Sequence, residues 1–574
     1  MPSYMTSIRR IVLRDYFFMG AALALLSALT LLPVVTSHNW PLNHEYYSFY
    51  LRTMVWAEHM LQGDWFPIWS TMDNNGFGSP QPLMYHKLFY LLAGGFYAIT
   101  GLLKVSILLS IWGGLMVGAI GIYALCRAIG CVKPLAWCGA IMLVTANYTI
   151  TNWLIRGAMA EFFAAMLVPW VLAAFTHWLN KDGNRYRANG WLGLTIGLLY
   201  LGHSVLGFYM VLLLGSVTLI LLLSRAILVT RLAPLPLLFG IGVLAILIGP
   251  YLGVQFLIAG DYDMSRIIPA EYRPEKQIKP LNLYFWDANW KWGHVWNSYT
   301  VQLDWPVLLL LVTGIIYNTI VFVMRWKKNG GFNPEQAWFS RLAVSLPVKA
   351  LILLLALAFI LQTHWATLFY SHFPGAEFIQ FPWRLLGVMT PCLIALALMC
   401  WPQHSRVALR IVIMFTTIMT LFSGAWAHMR YEELPSPPSD LTSLKFSAFG
   451  EYVPSKAPKI GYQVKDINSD LIKIGCKLTE KGLTTSVIKA QAWESISTSY
   501  TLTCPKAGTY PLPLFSSPLH RLKITGDDEV TASLRRCDTS PKYPNLCAIR
   551  IIEAGSYTVQ IEMPTFLGII TPWE

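Results

Sequence analysis

The feature that most constrains this chain is a series of apolar runs, each about twenty residues long, recurring from near the N-terminus to about residue 427. A helix of that length crosses the hydrocarbon core of a bilayer. The chain is 55% hydrophobic and 13% charged, with a mean hydropathy of +0.48. We therefore predict a polytopic α-helical membrane protein with about eleven transmembrane helices. These lie at 16–36, 103–128, 134–152, 161–179, 189–204, 205–224, 232–258, 304–325, 345–363, 385–401 and 407–427.

The basic residues of the loops predict the orientation of these helices. A net charge of +13 would suggest a nucleic-acid partner in a soluble protein, but here many basic residues lie between apolar runs, so no nucleic acid is predicted. The loops assigned to the cytoplasm hold most of them, whereas the short opposite loops hold only Arg156 and Arg384. The long loop at 259–303 is an exception, because it is exterior and yet basic. The N-terminus is predicted to be cytoplasmic, with a first helix that is retained and not cleaved.

The predicted transmembrane domain covers 1–430, with exterior loops at 37–102 and 259–303. Within the first loop, 87–102 is apolar and rich in glycine, and we predict that it lies on the outer surface or dips into it. If it spanned, the later loops would fall on the wrong side of the membrane.

A proline-rich linker marks a change of composition, and 431–574 is predicted to be an exterior, β-rich, sandwich-like domain. Short β-type runs such as SYTLTC and YTVQIEM are separated there by turn residues. Its four cysteines predict disulfides, by proximity 476–504 and 537–547, although other pairings are open. A zinc site is the weaker alternative, since no C-x-x-C spacing is present. Disulfides favour a periplasm, and hence a bacterial inner membrane.

Polar residues from distant parts of the chain fall on the exterior side of this topology. Charges at membrane depth are costly unless they face a cavity or one another, so together they predict a shared polar chamber. Arg156 and Glu161 could instead form a structural ion pair at a helix start, where a carboxylate suits the helix dipole. The residues of the predicted chamber are His44, Glu45, Arg52, Asp73, Arg156, Glu161, His203, Gln380 and Arg384.

A set of short runs recurs along the chain in an order typical of one class of membrane enzymes. The runs are His44-Glu45 with Arg52, Gly63-Asp-Trp-Phe-Pro-Ile-Trp69, Asn75-Gly-Phe-Gly-Ser-Pro80, Arg156-Gly-Ala-Met-Ala-Glu161, Gly202-His203, Phe381-Pro-Trp-Arg384 and Glu451-Tyr-Val-Pro454. With them the chain resembles GT-C-type glycosyltransferases, and more closely bacterial YfhO-like and "6-pyruvoyl-tetrahydropterin synthase related" membrane proteins. The resemblance implies transfer of a sugar from a polyprenyl-phosphate donor at the outer face of the membrane. One departure is Glu45, where related proteins usually have Asp.

Such a transfer needs a carboxylate to take the proton of the acceptor hydroxyl and cations to stabilise the departing phosphate. Glu45 is the predicted base, with Asp73 as the competing candidate. Arg384 is predicted to bind phosphate, together with Arg156 or Arg52, because guanidinium suits phosphate oxygens. A single base indicates an inverting reaction.

The remaining polar candidates have less defined roles. His44 and His203 could hydrogen-bond the phosphate or sugar, bind a metal, or act as structural partners. Trp65, Trp69 and Trp383 could stack on sugar rings or mark the membrane interface.

No cofactor is firmly predicted, and a divalent cation is left open. Asp261 and Asp263 form an Asp-x-Asp pair that could help hold one, in a long loop that could cover the donor or shape the acceptor groove. The acceptor could be a glycan, a lipid or a protein. Two other classes stay open: a transporter or flippase of a lipid-linked glycan, and a non-catalytic membrane assembly protein.

Overall fold

The structure is a computed structural model, and its description covers most of the chain. Contacts divide the chain into two compact units, each assembled from separate segments. The first unit comprises Met1–Tyr46, Leu108–Ile248 and Ala270–Ser436, and the second comprises Tyr47–Ile107, Gly249–Pro269 and Pro437–Glu574. The described residues are 20–37, 40, 43–45, 48–70, 73–74, 77–180, 184–227, 232–262, 272–285, 300–329, 345–429, 464–484, 495–517, 519–526, 538–539, 542–543 and 545–564.

The two units divide the chain differently from the predicted boundary at 430/431. Most of the first loop and a segment that begins within the 234–258 helix belong to the same unit as the C-terminal domain. Only the beginning of that loop, up to Tyr46, belongs to the first unit. The signature run at 451–454 lies outside the described residues.

Helices account for nearly all of the described part of the first unit, and each predicted apolar segment falls on one. Long apolar sequences form helices in a bilayer because a helix satisfies its backbone hydrogen bonds internally. The helices of the chain up to Met429 are α1 (Gly20–Thr30), α2 (Leu32–Thr36), α3 (Ser48–Leu61), α4 (Gln81–Met84), α5 (Leu88–Thr100), α6 (Leu103–Ala128), α7 (Lys133–Val144), α8 (Asn147–Ile150), α9 (Met159–Leu179), α10 (Arg185–Gly202), α11 (Ser204–Leu223), α12 (Pro234–Ile258), α13 (Asn282–Phe285), α14 (Trp305–Asn329), α15 (Leu346–Ile360), α16 (Thr367–His372), α17 (Leu386–Met399) and α18 (Arg406–Met429).

Among the described residues, six helices are long and apolar enough to cross a bilayer, and seven if α15 and α16, bent by 81° at their junction, count as one broken span. The chain is therefore a multi-pass membrane protein, whereas the total of about eleven spans stays a prediction. Helix α5 has 13 residues, so a straight helix of this length is about 20 Å long and does not span.

The path between α7 and α9 is irregular, and this irregularity shapes the polar region. Helix α7 stops at Val144, α8 is a single turn, and Thr151–Ile155 forms a π-helical turn. Such turns are rare in ordinary helices and frequent at functional sites. Asp304, just before α14, accepts a hydrogen bond from the backbone N–H of Asn147 at 2.6 Å and so caps α8. The irregular segment is thereby held at its start by a residue distant in sequence.

In the second unit, the C-terminal domain consists of two antiparallel sheets preceded by helix α19 (Val464–Lys473), as the predicted β-rich domain requires. One sheet has the order β1-β2-β7-β4 and the other β3-β6-β5. Their strands are β1 (Lys477–Thr484), β2 (Ser495–Cys504), β3 (Gly508–Phe515), β4 (Arg521–Gly526), β5 (Asp538–Thr539), β6 (Leu546–Ile551) and β7 (Gly555–Pro564).

Alternating residues form the core of this domain. Along β2, Tyr500, Leu502 and Cys504 are buried, and across from β2 the buried residues Val559 and Ile561 of β7 alternate in the same way.

The predicted disulfide between Cys476 and Cys504 is present, and it joins the residue before β1 to the end of β2. Register explains the pairing, since Lys477 lies opposite Thr503 in the β1–β2 ladder. Cys547 is buried and disulfide-bonded, and its predicted partner Cys537 lies outside the described residues. The second pairing therefore stays a prediction.

The described residues between 69 and 79 in the first loop, namely 69–70, 73–74 and 77–79, form a hairpin-like turn, called here the 69–79 hairpin. The backbone of Ser70 pairs with that of Ser79, and Gly78 adopts φ +80 with the Trp69 indole nitrogen where a Cβ on Gly78 would lie. Phe515 at the end of β3 donates its N–H to the carbonyl of Phe77 at 2.8 Å. The rings of these two phenylalanines are buried and 5.5 Å apart. The contact is therefore apolar and extends β3 by one backbone hydrogen bond.

The imidazole of His520 lies edge-on to Trp69, with ring centroids 4.4 Å apart. It is 2% exposed, and burial lowers its pKa to about 3. The unfolded chain takes up a proton near pH 6.5 that the folded chain excludes, so stability is complete above that pH and falls below it. At pH 5 the loss should be about 2 kcal/mol relative to pH 7.5. Urea unfolding at both pH values, compared with His520→Phe, measures it, and an unchanged pH dependence in the variant would contradict the assignment.

Candidate functional site

A buried carboxylate, that of Glu161, stands at the centre of the polar region of the first unit. Glu161 lies in the first turn of α9 and is 2% exposed. Its two oxygens accept hydrogen bonds from Arg156, Arg384 and the hydroxyl of Tyr148. Its position also suits the positive end of the α9 dipole. Residues from three separate segments are thus joined through one side chain.

Arg156 forms the principal ion pair with this carboxylate. Its Nη1 and Nη2 donate to the two oxygens of Glu161 at 2.7 and 3.0 Å, a two-point geometry that only a guanidinium offers. The same Nη1 also donates to the amide oxygen of Asn152, and the Trp383 ring centroid lies 4.3 Å from the guanidinium carbon. The π-helical turn carries Asn152 and places Arg156 directly after it. Arg156 is therefore fixed on several sides.

Arg384 approaches the same carboxylate from the segment before α17. Its Nε donates to Glu161 at 3.0 Å, and its Nη1 donates to the carbonyl of Ile379 at 3.0 Å. Gln380 adopts φ +59, unusual for a residue with a side chain, and its amide oxygen lies 3.5 Å from Nη2 of Arg384. Trp383 thus packs on Arg156 while its neighbour Arg384 binds the carboxylate. Two guanidinium groups therefore share one buried carboxylate.

His203 lies at the edge of this cluster, where α10 ends and α11 begins. Its Nδ1 accepts the N–H of Leu206 at 3.4 Å and so caps α11. Its Nε2 is then the protonated nitrogen and faces Glu161 at 3.9 Å. The structural role that the sequence left open for His203 takes the form of a helix cap, together with a place beside the carboxylate.

The start of the first loop lies against the same turn. The backbone N–H of His44 donates to the carbonyl of Ile155 at 3.3 Å, and that of Glu45 donates to the carbonyl of Arg156 at 3.0 Å. Burial and the nearby Arg156 cation lower the pKa of His44 to about 4, although Glu45 opposes this effect. His44 is therefore neutral at physiological pH. The backbone contacts fix Glu45 against the turn that carries Arg156, and its side chain is half-buried.

Gly157 explains how the loop can approach so closely. It has φ +67, and a Cβ there would lie 2.5 Å from the amide oxygen of Asn43 and 2.6 Å from its Cγ. No side chain fits in that space. Asn43 therefore packs directly on the backbone of the turn that follows Arg156.

The two other predicted site residues belong to the second unit. Asp73 accepts a hydrogen bond from the Ser79 hydroxyl at 2.6 Å, and its carbonyl accepts the N–H of Gly78, so it closes the 69–79 hairpin. Burial raises its pKa. The guanidinium carbon of Arg52 lies 3.9 Å from the centroid of the Tyr85 ring. These residues have roles in the local structure of the loop.

The predicted cation pair is only partly described. Asp261 is exposed at the end of a short 3₁₀ turn, and Asp263 lies outside the described residues. Among the described residues, no three His, Cys, Asp or Glu side chains group in a manner that could hold a metal ion. The question of a cation therefore stays open.

Sequence reasoning missed three contributors to the cluster, namely Asn43, Tyr148 and Asn152. A signal for two of them exists, because Tyr148, Asn152 and Arg156 are spaced by four residues and so share one helix face. Asn43 gives no such signal, since its place depends on a backbone turn that lies far away in sequence.

No protein-family model matches the chain, and no curated sequence does. Similar solved structures include the oligosaccharyltransferase of Archaeoglobus fulgidus (14% identity, 77% of this chain and 61% of that chain, TM-score 0.43). They also include ArnT from Cupriavidus metallidurans bound to undecaprenyl phosphate (14%, 70% and 63%, 0.41) and arabinofuranosyltransferase AftD from Mycobacteria (14%, 72% and 26%, 0.43). This chain spans less than two thirds of the length of each of these three proteins. At this identity and TM-score the likeness is remote and assigns no function.

Replacing Glu161 should strongly destabilise the protein. Glu161→Gln leaves two buried guanidinium groups without their carboxylate, which should cost about 3 kcal/mol. The measurement is the apparent unfolding temperature in detergent. Asp470→Asn is the matched control, because Asp470 pairs with Lys542 at the surface and its loss should leave that temperature unchanged. Equal effects of the two substitutions would contradict the importance of the buried cluster.

Gly157→Ala should disturb the packing of Asn43 beyond the strain of its backbone. Gly101→Ala is the matched control, since Gly101 has φ +66 and no atom within 4 Å of an added Cβ. Both variants carry a backbone cost of about 1 kcal/mol, and only Gly157→Ala adds the clash. The double variant Asn43→Ala with Gly157→Ala should therefore recover the extra loss of thermal stability. If Gly157→Ala and Gly101→Ala lose equal stability, Asn43 does not pack as closely on Gly157 as the structure indicates.

Proposed function

We propose that this protein is a glycosyltransferase that transfers a sugar from a polyprenyl-phosphate donor to an acceptor hydroxyl at the outer face of the membrane. The observation that carries the proposal is the backbone pairing of His44 and Glu45 with the turn that bears Arg156. It holds the backbone of Glu45, whose side chain is half-buried, against the turn whose arginine shares the Glu161 carboxylate with Arg384. A base and a cationic site are what displacement at a sugar phosphate requires.

Glu45 is the base in this proposal. Its backbone is held by Arg156, while its side chain is only half-buried and can meet an acceptor hydroxyl. Asp73 suits the role less well, because it is 4% exposed and its carboxylate accepts the Ser79 hydroxyl within the hairpin. Glu161 is also unsuitable, since its oxygens are occupied by two arginines and a tyrosine.

Arg156 and Arg384 provide the positive potential for the departing phosphate. Glu161 balances one of the two charges and holds both side chains in place, so the cations need not reorganise during the reaction. His44 and His203 are hydrogen-bonding groups at the edge of the site. Arg52 acts, in this proposal, within the loop and not on the phosphate.

A single carboxylate base favours an inverting reaction. The proposal includes the finer resemblance to YfhO-like proteins. It places the protein in a bacterial inner membrane, with a cytoplasmic N-terminus and a periplasmic C-terminal domain. Its acceptor is a glycan, a lipid or a protein. The disulfide of the C-terminal domain supports an oxidising compartment.

The test compares Glu45→Gln with Asp73→Asn in purified protein that is supplied with labelled polyprenyl-phosphate sugars and candidate acceptors. Glu45→Gln should lower kcat about a thousandfold, because a general base contributes a factor of this order. Asp73→Asn keeps an oxygen for the Ser79 hydroxyl, so its kcat should change by no more than a few-fold.

The unfolding temperatures of both variants show whether they remain folded. Loss of activity in Asp73→Asn with full activity in Glu45→Gln would assign the base to Asp73. Movement of a lipid-linked glycan across proteoliposomes, without transfer to any acceptor, would favour the flippase class instead. Absence of both activities would leave the assembly class.

A further inference from the structure

Two buried asparagines beside the arginine turn have hydrogen-bonding atoms that nothing described in the structure satisfies. Asn43 is 6% exposed, and both its amide oxygen and its amide nitrogen lack a partner among the described residues. Asn152 is 0% exposed, and its amide nitrogen also lacks one. Buried polar groups in folded proteins almost always have partners, so such atoms require an explanation.

Both side chains border the same short turn. Asn43 lies so close to Gly157 that a Cβ on residue 157 would overlap its side chain. Asn152 accepts a hydrogen bond from Arg156 through its side chain and one from the N–H of Ala158 at 2.9 Å through its carbonyl. The unsatisfied atoms therefore flank Arg156, close to the backbone of Glu45.

The chemistry of these atoms selects one kind of ligand. A phosphate only accepts hydrogen bonds, and the unsatisfied oxygen of Asn43 would repel it. A hydroxyl both donates and accepts, which matches an amide oxygen and two amide nitrogens. Sugar rings carry several hydroxyls, and in the proposed reaction a sugar lies between the base and the phosphate.

We propose that Asn43 and Asn152 form a subsite that hydrogen-bonds the hydroxyls of the transferred sugar. This subsite rests on the proposed function and specifies how the donor is recognised. Arg156 and Arg384 bind the phosphate part of the donor, and the two amides bind its sugar part. Leaving the amides unsatisfied in the empty protein lowers stability, and binding of the sugar recovers that loss.

The decisive variant is Asn43→Leu, which keeps the size of the side chain and removes both unsatisfied atoms. The apparent unfolding temperature of the ligand-free variant should rise, because the two unsatisfied atoms of Asn43 are no longer buried. Its kcat/KM should fall at least about tenfold, which corresponds to the loss of one hydrogen bond of ordinary strength. Asn43→Ala, which cannot clash with Gly157, should show the same loss of kcat/KM.

Binding separates the sugar from the phosphate. Affinities are measured for undecaprenyl phosphate and for a panel of undecaprenyl-phosphate hexoses and pentoses. Asn43→Leu should weaken binding of a sugar-bearing lipid and leave binding of the sugar-free lipid unchanged.

Asn318→Leu is the matched control, since this buried amide donates to the carbonyls of Gly314 and Cys400. The control should lower the unfolding temperature and should leave the difference between the two lipids unchanged.

Three results would overturn the subsite. A lower unfolding temperature with equal weakening for both lipids would make Asn43 a structural residue. Unchanged affinity for every sugar-bearing lipid would mean that the amides hold only water. If the unaltered protein binds neither lipid, both the proposed function and the subsite fail. If the unaltered protein binds the donor and the variant binds it equally well, only the subsite fails.

Discussion

The architecture of the polar region depends on one buried ion cluster, in which Glu161 binds both Arg156 and Arg384. Burying a charge without a partner costs roughly several kcal/mol. Each charged side chain of the cluster offsets this cost for the others. The cluster joins the turn before α9 to the segment before α17. Two separate segments are therefore held together by a single carboxylate.

The two interpretations that the sequence offered for Arg156 and Glu161 are compatible in the structure. They form an ion pair at the start of α9, as the structural alternative predicted, and Arg384 extends the pair into a cluster of three charged side chains. The cap made by His203 and the short α8 add rigidity to the same region. A rigid site lowers the reorganisation needed when charge develops on a leaving group.

Much of the fold follows from the sequence because hydrophobic length and β-type alternation are local properties. The helical segments, the β-rich C-terminal domain and the Cys476–Cys504 pair could all be predicted in this way. The convergence of Arg156, Glu161, His203 and Arg384 also followed, since a common membrane side already brings them near one level.

Other features could not be predicted, because they depend on contacts between distant backbones. The place of Asn43 requires the positive φ of Gly157, and the grouping of the first loop with the C-terminal domain requires the Phe77–Phe515 contact. Neither leaves a periodic pattern. Asp73 illustrates the difference. Its carboxylate made it a candidate base in the sequence, whereas in the structure that carboxylate accepts the Ser79 hydroxyl and closes a turn.

The contact between the 69–79 hairpin and the C-terminal domain also bears on how the chain matures. Phe77 is synthesised long before Phe515, so their backbone hydrogen bond cannot form until the strands of the C-terminal domain have been made. Until then Trp69 and Phe77 lack the apolar surface that buries them. Contacts between such distant residues form slowly, because a long loop must close first. Docking of the hairpin is therefore a late step, and it distinguishes a completely assembled molecule from one whose helices alone have been inserted.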